Sequence, residues 1–173
     1  MATTGPSGHF DPIDLSGPAT GTAPLRLCKV GAQEARILGA GFAAIDPWAR
    51  YPYPASALEG YFAAEEPGAP RYAIKLDTAL AGALGLRHNW LRGPYIQFLG
   101  LLPGHQSAGI GASILGWIES QARGDDQRNL WVAASDFNTR AIRFYERYGF
   151  TRTADLDGLV GDGKIEVLLR KRL

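Results

Sequence analysis

The chain has little of several things that would have named a function at once. It carries one cysteine, Cys28, in 173 residues, so no internal disulfide can form, and no Cys/His cluster has metal-ligand spacing. Cys28 lies in a strand-like run and reads as a small core residue. No apolar run is long enough to span a bilayer, and the start of the chain lacks the basic segment and apolar core of a signal peptide. Excess charge is missing too: a formal net charge of +1 leaves no broad basic field for nucleic acid. These absences predict a soluble cytoplasmic protein with no metal, no membrane contact and no nucleic-acid partner.

What is present suits one domain with a sizeable core. Residues 1–24 are rich in Gly, Pro, Ser and Thr and poor in large apolar side chains. They read as a flexible N-terminal tail, free or laid along the surface as extended chain, with 25–173 as the domain. A first strand is expected at 25–30 and a helix at 32–45, stopped before Pro47. Tyr51-Pro52-Tyr53-Pro54 makes a rigid turn before a second helix at 56–64. Strands at 71–76 and 79–87 flank the turn Asp77-Thr78, and residues 90–94 connect to a nearly continuous apolar run at 95–102. That run is expected to be a buried central strand. Gly100 within it marks a bulge or a close approach by other backbone or a ligand. A helix follows at 109–123, where Ile110, Ile114, Ile118 and Ala122 fall four apart with Leu115 beside them. A strand at 129–134, a helix at 141–148 capped by Gly149, and closing strands at 150–153 and 164–169 complete the order β-α-α-β-β-β-α-β-α-β-β.

The most informative stretch is Leu101-Leu102-Pro103-Gly104-His105-Gln106-Ser107-Ala108-Gly109-Ile110-Gly111. An apolar strand runs into a turn rich in small residues, and a helix follows at once. This aims unpaired backbone N–H groups and the positive end of a helix dipole at one point, a geometry suited to an oligophosphate. Gly104 and Gly109 fit the first half of a P-loop, but Ile110-Gly111 stands where Lys-Ser/Thr is required. A dinucleotide fingerprint needs a third glycine three residues after Gly111, and Ile114 is there instead. A plain tight turn with no ligand is the remaining alternative.

A second pattern lies one βα unit downstream, in Asn138-Thr139-Arg140-Ala141-Ile142-Arg143-Phe144-Tyr145-Glu146-Arg147-Tyr148-Gly149-Phe150. Asn138 is a good helix N-cap. Ala141, Ile142 and Tyr145 share one face, extended by Phe144 and Tyr148, and Arg140, Arg143 and Arg147 fall opposite as a solvated face.

At these residues the chain resembles the GNAT-type N-acetyltransferases. The strand ending in Leu-x-Pro with Gln106 to Gly111 is similar to that family's acetyl-CoA signature. The pattern Asn138-x-x-Ala141-x-x-Phe144-Tyr145-Glu146-x-Tyr148-Gly149-Phe150 is similar to its second motif. The resemblance implies an α/β (α+β) GNAT fold: a mixed, mostly antiparallel sheet of roughly six to seven strands, splayed between its two central strands and flanked by about four helices. It implies acetyl-CoA as co-substrate and no metal. Transfer is to a primary amine, on a small molecule or a peptide, by direct attack in a ternary complex. The alternative within the same fold is a catalytically weak acyl-CoA-binding sensor or regulatory module.

The resemblance also implies the site. The amides of Gln106, Ser107, Ala108, Gly109, Ile110, Gly111 and Ala112 would hold the pyrophosphate. The pantetheine arm would lie where the central strand leaves its neighbour, with Leu101 and Leu102 supplying amides that stabilise the oxyanion. Asn138 and Ala141 would steady the coenzyme's amide arm, and Tyr145 would be the general acid for the leaving thiolate. Relatives often carry a glutamate on the strand before the loop as base; here Gln97 is its only polar non-aromatic side chain. Asp136 is the first candidate base, with His105, His88 and Glu59 behind it, and direct attack by an amine already neutral, with a water chain to bulk, stands as an equal alternative. The first two helices and the closing loop would form the acceptor side, bringing in Trp48, Tyr51, Tyr53 and residues 155–163. Relatives often form homodimers, but no feature of this sequence marks an interface.

Overall fold

The computed structural model describes residues 13–15, 23–51 and 53–173. Its strands are β1 (Ile13–Asp14), β2 (Leu25–Lys29), β3 (Arg71–Leu76), β4 (Ala79–Trp90), β5 (Gly93–Leu101), β6 (Asn129–Ser135), β7 (Thr151–Asp157) and β8 (Ile165–Arg172). The helices are α1 (Ala32–Ala43), α2 (Ala55–Ala63), α3 (Ile110–Gly124) and α4 (Thr139–Arg147), with a short 3-10 turn at Trp48–Arg50. The strands form one sheet in the order β1-β2-β3-β4-β5-β6-β8-β7, antiparallel throughout except for β5 beside β6.

The expected mixed, mostly antiparallel sheet with four helices is the one observed, with two adjustments. The sheet has eight strands because Ile13 and Asp14 pair with Leu27 and Arg26 at its edge. They come from the segment read as a tail, whose residues 1–12 and 16–22 lie outside the described residues. The second adjustment is that β7 runs to Asp157, because its pairing with β8 continues through Asp155↔Val167 to Asp157↔Ile165. This shortens the closing loop to residues 158–164.

Alternation along the strands sorts side chains onto two faces, and in β5 it is reset at Gln97, an extra residue where the register with β4 shifts from Leu86↔Ile96 to Gly85↔Phe98, so Ile96 and Phe98 face opposite ways. On one face Leu84, Leu86 and Ile96 meet Ile110, Ile114, Leu115 and Ile118 of α3 and Tyr145 of α4. On the other, Ala83 and Phe98 meet Leu38 and Phe42 of α1 and Leu58 and Phe62 of α2. The 3.6-residue period read for α3 is therefore its buried face. Helices α1 and α2 pack closely enough that a Cβ on Gly39 would lie 2.7 Å from Ala55 O and Glu59 N.

The connection expected at 90–94 is a tight two-residue hairpin. Trp90 pairs with Gly93, and Leu91 and Arg92 both take positive φ, 46° and 64°, as a primed turn requires. Neither is a favoured residue there. Asn129 Nδ2 (3.1 Å) and Trp131 Nε1 (3.2 Å) both donate to Leu91 O and hold the tip in place.

The feature that positions the site is the junction of β5 and β6. Their register is limited to Tyr95↔Trp131 and Ile96↔Val132, after which the strands part. Strand β6 stays paired with β8 over its whole length, from Asn129↔Arg172 to Ser135↔Glu166. At the joined end β5 and β6 approach so closely that a Cβ on Gly93 would sit 1.8 Å from Asn129 O. We therefore expect Gly93→Ala to force the pair apart and lower stability by about 1–3 kcal/mol, measured by denaturant unfolding.

Candidate active site

The parting of β5 and β6 leaves main-chain groups without a ladder partner. The Leu102 N–H points to β4 and donates to Ala81 O (2.9 Å). Alternation then turns the main-chain groups of Leu99 and Leu101 toward the gap. Leu102 is thus engaged on the β4 side, and its side chain packs with the α1–α2 core. The sequence reading had paired it with Leu101 at the gap; the strand's alternation separates the two.

The loop after β5 has the form expected of an anion cradle. Gly104, Ser107 and Gly109 take positive φ of 89°, 68° and 77°, which turns successive amides inward. Gly109 is the N-cap of α3 and no side chain caps it, so the first-turn amides of Ile110, Gly111 and Ala112 have no intrahelical acceptor. A Cβ on Gly109 would meet nothing within 4 Å, whereas one on Gly111 would lie 3.0 Å from Phe144 Cζ. Gly109 therefore serves the turn, and Gly111 lets α3 pack against α4.

Arg140 was read as part of a solvated face, yet it bridges to this loop. It donates to Gln106 Oε1 (2.9 Å) and Ser107 Oγ (3.1 Å), and Gln106 Nε2 donates to Leu101 O (3.3 Å). The i,i+4 pattern of α4 shows which residues share a face, but not that another loop passes over the exposed one.

Two cavities open on the gap. One, of about 490 Å³, is lined by Leu99–Leu101, by Gln106, Ser107, Gly109, Ile110, Gly111 and Ala112 of the loop, and by Arg140. The other, of about 460 Å³, is lined by Trp48, Tyr51, Tyr53, Tyr61, Tyr95, Gln97, Ser135 and Glu166 among others, with Leu159 and Val160 of the closing loop. Both include Trp48, Leu99, Asn138, Ala141 and Tyr145 in their walls. Ala108 lies in neither lining. Gly100 is closely approached on two sides: a Cβ on Gly82 of β4 would lie 2.2 Å from Gly100 O, and a Cβ on Gly100 itself would come within 2.6 Å of Phe42 and 2.7 Å of Trp48. Its missing side chain makes room for the aromatic wall.

Tyr145 is 5% exposed, and its phenol is pushed up from the ordinary value by burial, with a smaller contribution from Tyr95. Asn138 caps α4 by accepting from Ala141 N–H (3.2 Å) through Oδ1 and lines both cavities. Of the candidate bases, Asp136 is exposed and outside both linings. His105 and Glu59 are also outside them, Glu59 pairing with Arg36 at 3.9 Å, and His88 lines a separate cavity beside Trp117.

The carboxylate that does enter was missed. Glu166 of β8 is 8% exposed and accepts from Tyr51 Oη at 2.7 Å. Tyr51 Oη also meets Ser135 Oγ. The single phenol proton goes to Glu166, so Ser135 donates to Tyr51. Burial pushes the Tyr51 phenol up to about 12; the Ser135 hydrogen bond opposes this, and the Glu166 and Asp136 charges add to it. The available signal was a lone acid in the apolar run Ile165-Glu166-Val167-Leu168-Leu169. Among the described residues no His/Cys/Asp/Glu group could hold a metal, and no helix is long and apolar enough to cross a membrane.

A family model described as Acetyltransferase (GNAT) family matches residues 36–150. The chain belongs to this family. It is an acyltransferase on the fold that the family shares. RimL, a ribosomal-protein alpha-N-acetyltransferase, superposes with a TM-score of 0.69 at 18% identity over 97% of this chain and 98% of that one. A GNAT acetyltransferase from Elizabethkingia anophelis with acetyl-CoA bound gives 0.66 at 16% identity, over 89% and 100%. The spermidine N-acetyltransferase SpeG from Vibrio cholerae, in a mutant form, gives 0.64 at 16%, over 86% and 93%. At these identities the likeness is one of fold. No curated protein matches the sequence significantly.

The environment of this acyltransferase's tyrosines is measurable. Tyr61, like Tyr51, is pushed up to about 12, chiefly by burial, and Tyr145 is raised as well. In the unfolded chain all phenols ionise near ~10, so native protein retains protons that unfolded protein has lost. This contribution is complete below pH ~10 and is lost as pH rises toward 12. Ultraviolet titration at pH 10.5 should show Tyr51, Tyr61 and Tyr145 still protonated, and stability should fall between pH 10 and 12.

Proposed function

We propose that this chain moves an acetyl group from acetyl-CoA to a primary amine by direct attack in a ternary complex. One observation carries the reading: two cavities of different character meet at Tyr145, Asn138 and Leu99, where β5 and β6 part. One has an anion cradle and a guanidinium, the other an aromatic wall and a carboxylate.

The residues fit the coenzyme. The positive-φ loop and uncapped start of α3 offer converging amides for a pyrophosphate, and Arg140 stands at the same loop as a charged donor. The edge of β5 at Leu99 and Leu101 offers main-chain groups to an extended amide arm, as a missing strand would. Bound there, acetyl-CoA supplies an acyl carbon activated by a thiol leaving group. The amides at Leu99 and Leu101 are placed to hold negative charge on the acyl oxygen. One such donor contributes about 3 kcal/mol to a reaction barrier. Tyr145 gives its proton to the departing sulfur. A phenol raised by burial keeps that proton at neutral pH, and the sulfur becomes a thiolate, the base that accepts it, only as its bond to carbon is lost.

Thiol release in the presence of a panel of amines tests the reading. Tyr145→Phe should lower kcat by about 10²-fold or more with acetyl-CoA affinity unchanged. Gly109→Val places a β-branched residue at φ 77° and should weaken acetyl-CoA binding by about tenfold or more, measured by calorimetry. Saturable acetyl-CoA binding with no thiol release from any amine would favour the acyl-CoA-binding module.

A further inference from the structure

The acceptor-side cavity has a charge pattern that transfer to an amine does not by itself require. Among its described lining residues Glu166 is the one formally charged side chain. No Lys, Arg or His forms an ion pair with it among the described residues. Lys164 holds its ammonium 6.0 Å over the Tyr51 ring but is not in the lining. A second acceptor lies in the same wall: Gln97 Oε1 is buried and has no hydrogen-bond partner. Leaving such an atom unpaired costs about 1–3 kcal/mol, and an unpaired buried carboxylate costs more. A positively charged donor in the cavity would supply the counter-charge that Glu166 lacks. The remaining wall is largely ring surface from Trp48, Tyr51, Tyr53 and Tyr95, which attracts a cation and packs an apolar body.

Building on the transfer reading above, we propose that the acceptor is a primary amine with a single positive charge and an apolar or aryl body, and that Glu166 is the group that recognises and deprotonates it. Glu166 takes one proton from the ammonium and releases it to solvent. The neutral nitrogen then forms a C–N bond to the acyl carbon, and the C–S bond breaks with its electron pair on sulfur. Sulfur receives the Tyr145 proton, and the nitrogen's second proton replaces it, so one proton is released for each amide made. Tyr51 and Ser135 are positioning residues: the chain Ser135 to Tyr51 to Glu166 fixes the carboxylate against β6. With one carboxylate in the cavity, a polycation would place further ammonium groups against rings and aliphatic walls without a counter-charge.

The test uses full-length protein saturated with CoA and titrated calorimetrically with 2-phenylethylamine, 2-phenylethanol, spermidine, kanamycin, and a tripeptide amide beginning with phenylalanine. Thiol release from acetyl-CoA is measured in parallel. We expect 2-phenylethylamine or the tripeptide to be the better substrate by kcat/KM, and the preferred one identifies a free amine or an amino terminus as the source. Glu166→Gln should weaken binding of the preferred amine by about thirtyfold or more, leaving 2-phenylethanol binding, acetyl-CoA affinity and melting temperature unchanged. Glu166→Asp, which keeps the charge, should recover part of the loss. Higher kcat/KM for spermidine or kanamycin would overturn the proposal, as would Glu166→Gln with unaltered amine binding or wild-type protein that binds no amine. If 2-phenylethylamine binds through Glu166 but no amine releases thiol, the recognition inference stands and the transfer reading fails.

Discussion

The structure depends on a parallel strand pair that is abandoned after two registered positions. Strands β5 and β6 meet at Tyr95↔Trp131 and Ile96↔Val132 and then expose their facing edges. A buried edge of this kind is costly because each main-chain polar group needs a partner. Here the groups face cavities, where water or an incoming extended ligand can reach them. The rest of the sheet keeps the opening in place. Gly93 lets the strands close at one end, β8 holds β6 along its full length, and Phe42 and Trp48 fill the space beside Gly100.

The same opening separates charge. Helices α3 and α4 begin beside it, and their positive ends lie with Arg140 on the loop side. Glu166 lies on the other side, behind Tyr51. An anionic ligand and a cationic one are therefore drawn to opposite ends of one continuous space, and Tyr145 and Asn138 stand where the two ends join. Asn138 illustrates how closely the two cavities are spaced: Ser135, three residues earlier, lines the aromatic one, and Ala141, three residues later, lines both.

Much of this was legible because it is local. The glycine loop, the Asn138 cap, the buried period of α3 and the apolar run of β5 are all set by short-range spacing, and the structure has them within a few residues. Glu166 was not legible, because its importance comes from the register Ser135↔Glu166, a pairing across thirty-one positions of chain. Arg140 was hidden for a related reason. A helical wheel shows it outside, and only the path of the loop between β5 and α3 shows what lies over it. Strand β1 was missed because two residues carry no periodic signal; their strand character comes entirely from the edge of β2 that they complete. Asp136 was a reasonable candidate from its position after β6, but strand ends point side chains alternately, and its neighbour Ser135 took the inward place.

Arg140 enters its resting state already bound, to Gln106 and Ser107, with Gln106 in turn bound to the carbonyl of Leu101. Its partners are neutral acceptors, which hold a guanidinium in place without cancelling its charge. A phosphate arriving at the loop would meet a side chain whose rotamers are already restricted, so little conformational entropy remains to be lost on binding. Gln106 spans α4 and β5, its Oε1 on Arg140 and its Nε2 on the Leu101 carbonyl at the strand's edge. The first turn of α4, the loop and the strand edge are thereby joined by three hydrogen bonds.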